Sequence, residues 1–181
     1  MAFLQIDYKS EALMRGVNIK VILPSDGMAG KWEPPYKTLY LLPGYSATAT
    51  ELITYLGLRG QSELKGIAIV LPDGENLFYQ DLPDRMTFYS TYVGKELVEV
   101  TRKMLPLSTK REDTFIGGIS MGGYGALYNG FKYRDTFSKV VAFSPAADAC
   151  MLLAGPEAPG FSRAQFEGIF GNREAYYGSE C

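Results

Sequence analysis

Residues Gly118-Ile119-Ser120-Met121-Gly122 carry the spacing G-x-S-x-G, the nucleophile elbow, in which a strained strand-to-helix turn lifts a serine hydroxyl above the sheet. A serine so placed can attack an acyl carbonyl and hold the acyl group as a covalent intermediate. Gly118 and Gly122 lie two residues either side of Ser120, where a Cβ would collide with the neighbouring strand or helix as the backbone doubles back. Met121 then opens a helix, which aims its backbone N–H at the position of a developing oxyanion. Other glycine-loop chemistries fail on spacing. No G-x-G-x-x-G and no G-K-[ST] occurs, so neither a dinucleotide nor a nucleoside triphosphate site is supported.

A serine hydroxyl needs a base near neutral pH, and in this kind of site a histidine late in the chain takes its proton. The 181 residues contain no histidine. A Ser-Lys arrangement of the S-x-x-K type is excluded at Ser120, because Gly123 holds the fourth position. These residues therefore show a nucleophile and the expected oxyanion donor without the base.

The elements around the motif have the order an elbow requires. Thr114-Phe115-Ile116 is a β-prone run, and Tyr124, Leu127, Tyr128 and Phe131 recur at helical spacing. Upstream, Phe3–Tyr8 and Val17–Leu23 alternate as two half-buried strands joined through Ser10–Gly16, followed by a surface loop that Trp32 would anchor. Thr38–Leu42, Ile67–Leu71 and Lys139–Phe143 are apolar runs suited to buried parallel strands. Glu51–Leu58 and the amphipathic stretch Thr91–Leu105 read as helices. Their alternation predicts a mostly parallel doubly wound sheet with helices on both faces. Ala146–Gly160 turns small and rich in Pro and Gly, so 146–170 reads as a loop or cap segment, with a short helix over Phe161–Phe170.

With 46% hydrophobic residues the chain can bury one core, and 1–181 reads as a single domain. A charged fraction of 21% and a net charge of −2 give no electrostatic case for nucleic acid or an anionic membrane surface. Thirteen Tyr and ten Phe serve core packing first and pocket lining second. Cys150 and Cys181 sit in no metal or redox motif, so no metal, cofactor or disulfide is expected. The opening residues lack a basic leader and a sustained apolar run, which predicts a cytoplasmic protein with no membrane span.

The whole chain resembles the esterase D family of α/β-hydrolases, most of all its small bacterial tributyrin-type esterases. The resemblance lies in Leu41-Leu42-Pro43-Gly44-Tyr45-Ser46, Asn76-Leu77-Phe78-Tyr79-Gln80-Asp81, the glycine-rich run Gly117–Gly125, Phe143-Ser144-Pro145 and Phe166–Asn172. It implies an α/β-hydrolase fold and carboxylester hydrolysis of a small-molecule ester, short-chain acyl or aryl. Ser120 is the implied nucleophile, with the N–H groups of Met121 and Tyr45 as the oxyanion hole. Gly44, Tyr45, Phe78, Tyr79 and Tyr124 are candidates to bind substrate, although the Phe78–Asp81 loop reads equally well as packing. Pro43-Gly44 stands where relatives usually have His-Gly; proline lacks an N–H, but the implied donor is Tyr45. Relatives continue into two more strands and a helix bearing the acid and the histidine, so a C-terminally incomplete fold is expected. Asp73 and Asp148 both follow strands and read as turn or loop residues.

Two other functions stay open: acyl transfer on the same fold, and a non-enzymatic binding module, which the missing histidine favours. The strand Lys139–Phe143 would be left as an apolar sheet edge, predicting poor solubility, self-association, or a second polypeptide that completes the sheet.

Overall fold

The computed structural model describes residues 1–26, 32–148 and 162–171. The backbone divides into two compact units, Met1–Pro145 and Ala146–Cys181. The first contains a six-stranded sheet in the order β1-β2-β4-β3-β7-β8. Its strands are β1 (Ala2–Ser10), β2 (Arg15–Leu23), β3 (Lys37–Leu42), β4 (Ile67–Pro72), β7 (Thr114–Ile119) and β8 (Lys139–Phe143). β1 and β2 form an antiparallel hairpin, β2 meets β4 antiparallel, and β4, β3, β7 and β8 run parallel. This is the mostly parallel sheet that the apolar runs predict.

Alternation along β3 decides what lies on each face. Leu41 joins Ile69 and Leu71 of β4 in a cluster with Ala49, Leu52 and Leu58 from helices α1 (Ala49–Tyr55) and α2 (Leu58–Lys65). Tyr40 points the other way, where its hydroxyl shares a 2.8 Å hydrogen bond with Thr101 of α4 (Leu97–Met104) and its ring meets Phe137 edge-on. Helix α5 (Met121–Lys132) shares that second side: a Cβ on its Gly130 would lie 2.4 Å from Val140 of β8. Helices therefore cover both faces.

Several boundaries differ from expectation. The stretch read as one helix over Thr91–Leu105 opens earlier and in three pieces, α3 (Tyr89–Thr91), a π-helical segment Tyr92–Glu96, and α4. It follows a small hairpin of β5 (Asp81–Leu82) and β6 (Thr87–Phe88). Helix α2 was not expected, because its polar sequence is bounded by Gly57 and Gly66, whose left-handed backbones begin and end it. Strand β7 runs on to Ile119 through two glycines that carry no β propensity. β8 stands at the edge of the sheet among the described residues, as expected of residues 1–181, with Val141 and Phe143 43% and 57% exposed. Its composition matches a central strand, and only its place in the strand order exposes it.

Trp32 anchors its loop as expected: Nε1 donates to the Glu63 carbonyl at 2.8 Å, and its ring occupies the space a Cβ on Gly66 would need. Asp73 also behaves as a cap, accepting from the Ala49 N–H at 2.7 Å at the start of α1. In the second unit, α6 (Arg163–Phe170) is the expected short helix, opened by a reciprocal capping box between Ser162 and Gln165. Most of the expected 146–170 cap, together with Cys150 and Cys181, lies outside the described residues. No helix among the described residues is long and apolar enough to cross a membrane.

Candidate active site

Ser120 sits between the end of β7 and the start of α5 with φ 56° and ψ −116°. Such a backbone conformation costs a non-glycine residue about 1–3 kcal/mol and persists only where its surroundings hold it. They do. The Ser120 N–H donates to the Phe143 carbonyl at 2.9 Å, and the Ser120 carbonyl accepts from the Tyr124 N–H at 3.0 Å. A Cβ on Gly118 would lie 2.0 Å from the Gly122 carbonyl oxygen, and one on Gly122 would lie 2.1 Å from that of Leu42. The two motif glycines thus let strand, helix and the end of β3 meet.

Those contacts bring a second turn beside the first. β3 and β7 are parallel neighbours paired at Leu42 and Gly118, so their carboxyl ends open side by side, where ligands of such sheets bind. From β3 the chain leaves through Pro43, Gly44, Tyr45 and Ser46, and a Cβ on Gly44 would lie 3.5 Å from that of Ser120. Met121 is the first residue of α5, and helix geometry leaves the N–H of a first residue without an intrahelical acceptor. Ser120, Met121 and Tyr45, separated by up to 76 positions in sequence, are neighbours at one edge of the sheet.

Aromatic rings adjoin them. Phe78 packs against Tyr45 and Tyr124, with ring centroids 6.3 and 5.5 Å apart. Gly44, Tyr45, Ser120 and Tyr124 are half-buried, whereas Phe78 and Tyr79 are inside. Of the five expected pocket residues, Tyr79 therefore lies behind the turn. Its hydroxyl donates to the Pro43 carbonyl at 2.8 Å, and its ring fills the space that side chains on Gly74 and Gly125 would take. Burial pushes its phenol well above the ordinary tyrosine range, with smaller contributions from Tyr89 and Asp73.

Supporting side chains come from the Asn76–Asp81 loop and, not singled out from the sequence, from Asn129. Gln80 Nε2 donates to the Tyr124 hydroxyl at 2.7 Å, and the Asn129 amide of α5 donates to the carbonyls of Tyr79 and Gly125 at 3.2 and 2.9 Å. Asn76 Oδ1 accepts from the Ser46 N–H at 2.7 Å. Among the described residues no side chain hydrogen-bonds the Ser120 hydroxyl, and none form a group of three metal ligands.

The family model described as "Putative esterase" matches residues 10–175. The chain belongs to this family. Among curated relatives of this esterase chain, the acetyl esterase of Caldicellulosiruptor saccharolyticus is 40% identical over 151 residues, 81% of this chain and 57% of the relative. Among solved structures, FphF of Staphylococcus aureus, a fluorophosphonate-binding serine hydrolase, superposes with a TM-score of 0.81 at 30% identity, covering 94% of this chain and 66% of that one. The S-formylglutathione hydrolase FrmB of the same organism gives 0.79 at 29% identity, covering 96% and 67%. The esterase chain has the α/β-hydrolase fold and spans about 57–67% of the length of these relatives.

Proposed function

We propose that the protein carrying this chain is a serine carboxylesterase that cleaves short-chain acyl or aryl esters through an acyl-Ser120 intermediate. The observation that carries this reading is the Ser120 backbone, held at φ 56° between β7 and α5 directly beside the turn that follows β3. The Ser120 Oγ attacks the ester carbonyl carbon while its proton passes to a base. The carbonyl oxygen becomes an oxyanion facing the N–H groups of Met121 and Tyr45, and the alcohol departs with a proton. Water then attacks the acyl-serine, releases the carboxylic acid and restores Ser120. Two preorganised N–H donors suit such a step, since losing one oxyanion donor costs about 10²–10³ in kcat.

Residues 1–181 contain no histidine, so in this reading the base comes from polypeptide outside them. Small acyl groups fit the names of the relatives, an acetyl esterase and S-formylglutathione hydrolases. Gly44, Tyr45 and Tyr124 are the proposed wall of the acyl or aryl pocket, with Phe78 behind them. The experiment is hydrolysis of p-nitrophenyl acetate and longer homologues by the protein expressed from its complete reading frame, with the intact mass recorded after fluorophosphonate treatment. A single adduct on Ser120 and turnover that falls with acyl length are expected. An adduct or turnover that survives Ser120→Ala would overturn the assignment, and turnover that depends on an added alcohol or thiol would identify an acyltransferase.

A further inference from the structure

We infer that Tyr79 and Asn76 are positioning residues that clamp the Pro43–Ser46 turn at its two ends and thereby set where the Tyr45 N–H points. The inference rests on the proposed role of that N–H as an oxyanion donor. The turn has four residues, and its outer polar groups are both held from one loop. At the first residue the Pro43 carbonyl accepts from the Tyr79 hydroxyl at 2.8 Å; at the last, the Ser46 N–H donates to Asn76 Oδ1 at 2.7 Å. The Asn76 amide returns a 3.3 Å hydrogen bond to the Ser46 hydroxyl. The Gly44 carbonyl also accepts from the Ala47 N–H, just past the turn, at 3.2 Å. Ser46 itself has φ 58°, a left-handed conformation that a serine holds only against a cost.

The loop that does the clamping is anchored in turn. Phe78 and Tyr79 both have positive φ, 55° and 56°, so two consecutive non-glycine residues are held in the left-handed region. The Tyr79 carbonyl accepts from Asn129 of α5 at 3.2 Å, and the Tyr79 ring is threaded where Gly74 and Gly125 lack side chains. Burial keeps the Tyr79 hydroxyl protonated and therefore a donor. One side chain thus spans from the nucleophile helix to the oxyanion turn, so the positions of the two proposed donors, Met121 and Tyr45, are linked through it. Neither Tyr79 nor Asn76 needs to touch substrate for this.

The test is steady-state kinetics on p-nitrophenyl acetate, with binding of phenylboronic acid as a tetrahedral mimic, in the complete protein. Tyr79→Phe keeps the ring and removes only the hydroxyl; Asn76→Ala changes an exposed residue whose loss leaves the core intact. A misplacement of about 1 Å can cost 10²-fold. The expected result is a fall in kcat of about 10–100-fold for Tyr79→Phe and about 3–10-fold for Asn76→Ala, with KM within about threefold. Phenylboronic acid affinity should fall by the same factors, while acetate affinity stays put. Unaltered kcat in both variants, beside an inactive Ser120→Ala, overturns the clamp and leaves the esterase reading standing. Full activity in Ser120→Ala overturns the esterase reading on which the clamp rests. If Tyr79→Phe does not fold, Asn76→Ala decides alone, and a loss of activity that tracks its melting temperature, with kcat and boronate affinity otherwise intact, counts against the clamp.

Discussion

The two turns that meet at the carboxyl edge of the sheet are built on opposite plans. The elbow after β7 takes its main parts from its own sequence: five residues supply the nucleophile, the helix start and the two glycines that let strand and helix approach, with the Phe143 carbonyl of β8 as an outside hold on the Ser120 N–H. The turn after β3 is shaped by residues 30 and more positions away, Asn76 and Tyr79, and only Gly44 within it has an evident steric reason. A turn specified mainly by its own glycines is most sensitive to change at those glycines. A turn held from outside can be loosened by a change that never touches it.

Several measurements can break or sharpen that contrast. Ser120→Ala should remove the chemistry while leaving both turns in place, with kcat lower by about 10⁴–10⁶ and the urea midpoint unchanged. A large drop in the midpoint would show that the hydroxyl, not the glycines, holds the elbow. Gly122→Ala is the stronger structural break, since its Cβ would meet the Leu42 and Pro43 carbonyl oxygens at 2.1 and 2.5 Å. A backbone has little room to yield, so a loss of about 3 kcal/mol or more is expected from urea unfolding. Full stability in that variant would mean that the two turns are not packed as described.

Asn129→Ala tests the tie between them. It leaves the Tyr79 carbonyl, in a buried setting, without its donor from α5, at a cost of about 1–3 kcal/mol. Combined with Tyr79→Phe in a double-mutant cycle, the losses should be non-additive if one network serves both turns; strict additivity would separate them. Val141→Thr is the control with the smallest effect. It keeps the size of a side chain on the edge strand β8, and in residues 1–181 alone the change should stay within about 0.5 kcal/mol.

Alkaline pH probes the tyrosine packing behind the turns. Burial raises Tyr8, Tyr40 and Tyr89 from the ordinary value of 10.0 to about 12, and Tyr79 and Tyr92 are raised as well. A group whose folded pKa lies above its unfolded one contributes stability that is complete below the unfolded value and is lost as pH rises toward the folded value. Stability should therefore hold to about pH 10 and decline progressively between about 10 and 12. Chemical denaturation followed by tyrosine absorbance near 295 nm reports both the unfolding and the phenolate. A decline that begins near pH 8 would show that these tyrosines are not what fails.

Much of the fold was legible from residue patterns. Alternation in Phe3–Tyr8 and Val17–Leu23 and the apolar runs at Thr38, Ile67 and Lys139 all became strands, and the elbow became the observed strand, turn and helix. Period and apolar content report whether a segment can be buried. They do not report a polar element's neighbours, which is why helix α2 between two glycines escaped notice. Tyr79 shows the same limit at the site. A tyrosine next to a phenylalanine in an aromatic loop reads equally as pocket wall or packing, and its hydroxyl partner lies 36 residues away.

What the sequence by itself determined is the chemistry available: a serine in an elbow spacing, a helix N–H beside it, no histidine and no phosphate-binding glycine loop. These are properties of residue type and short spacing, which chain connectivity preserves whatever the rest of the molecule does. The tertiary structure alone decided which other segment lies beside Ser120. The Tyr45 turn lies beside Ser120 because β3 and β7 pair in parallel with Leu42 opposite Gly118. It keeps its form through hydrogen bonds from the loop that follows β4. Such partners are separated by tens of residues along the chain, and strand order and register bring them within 3 Å.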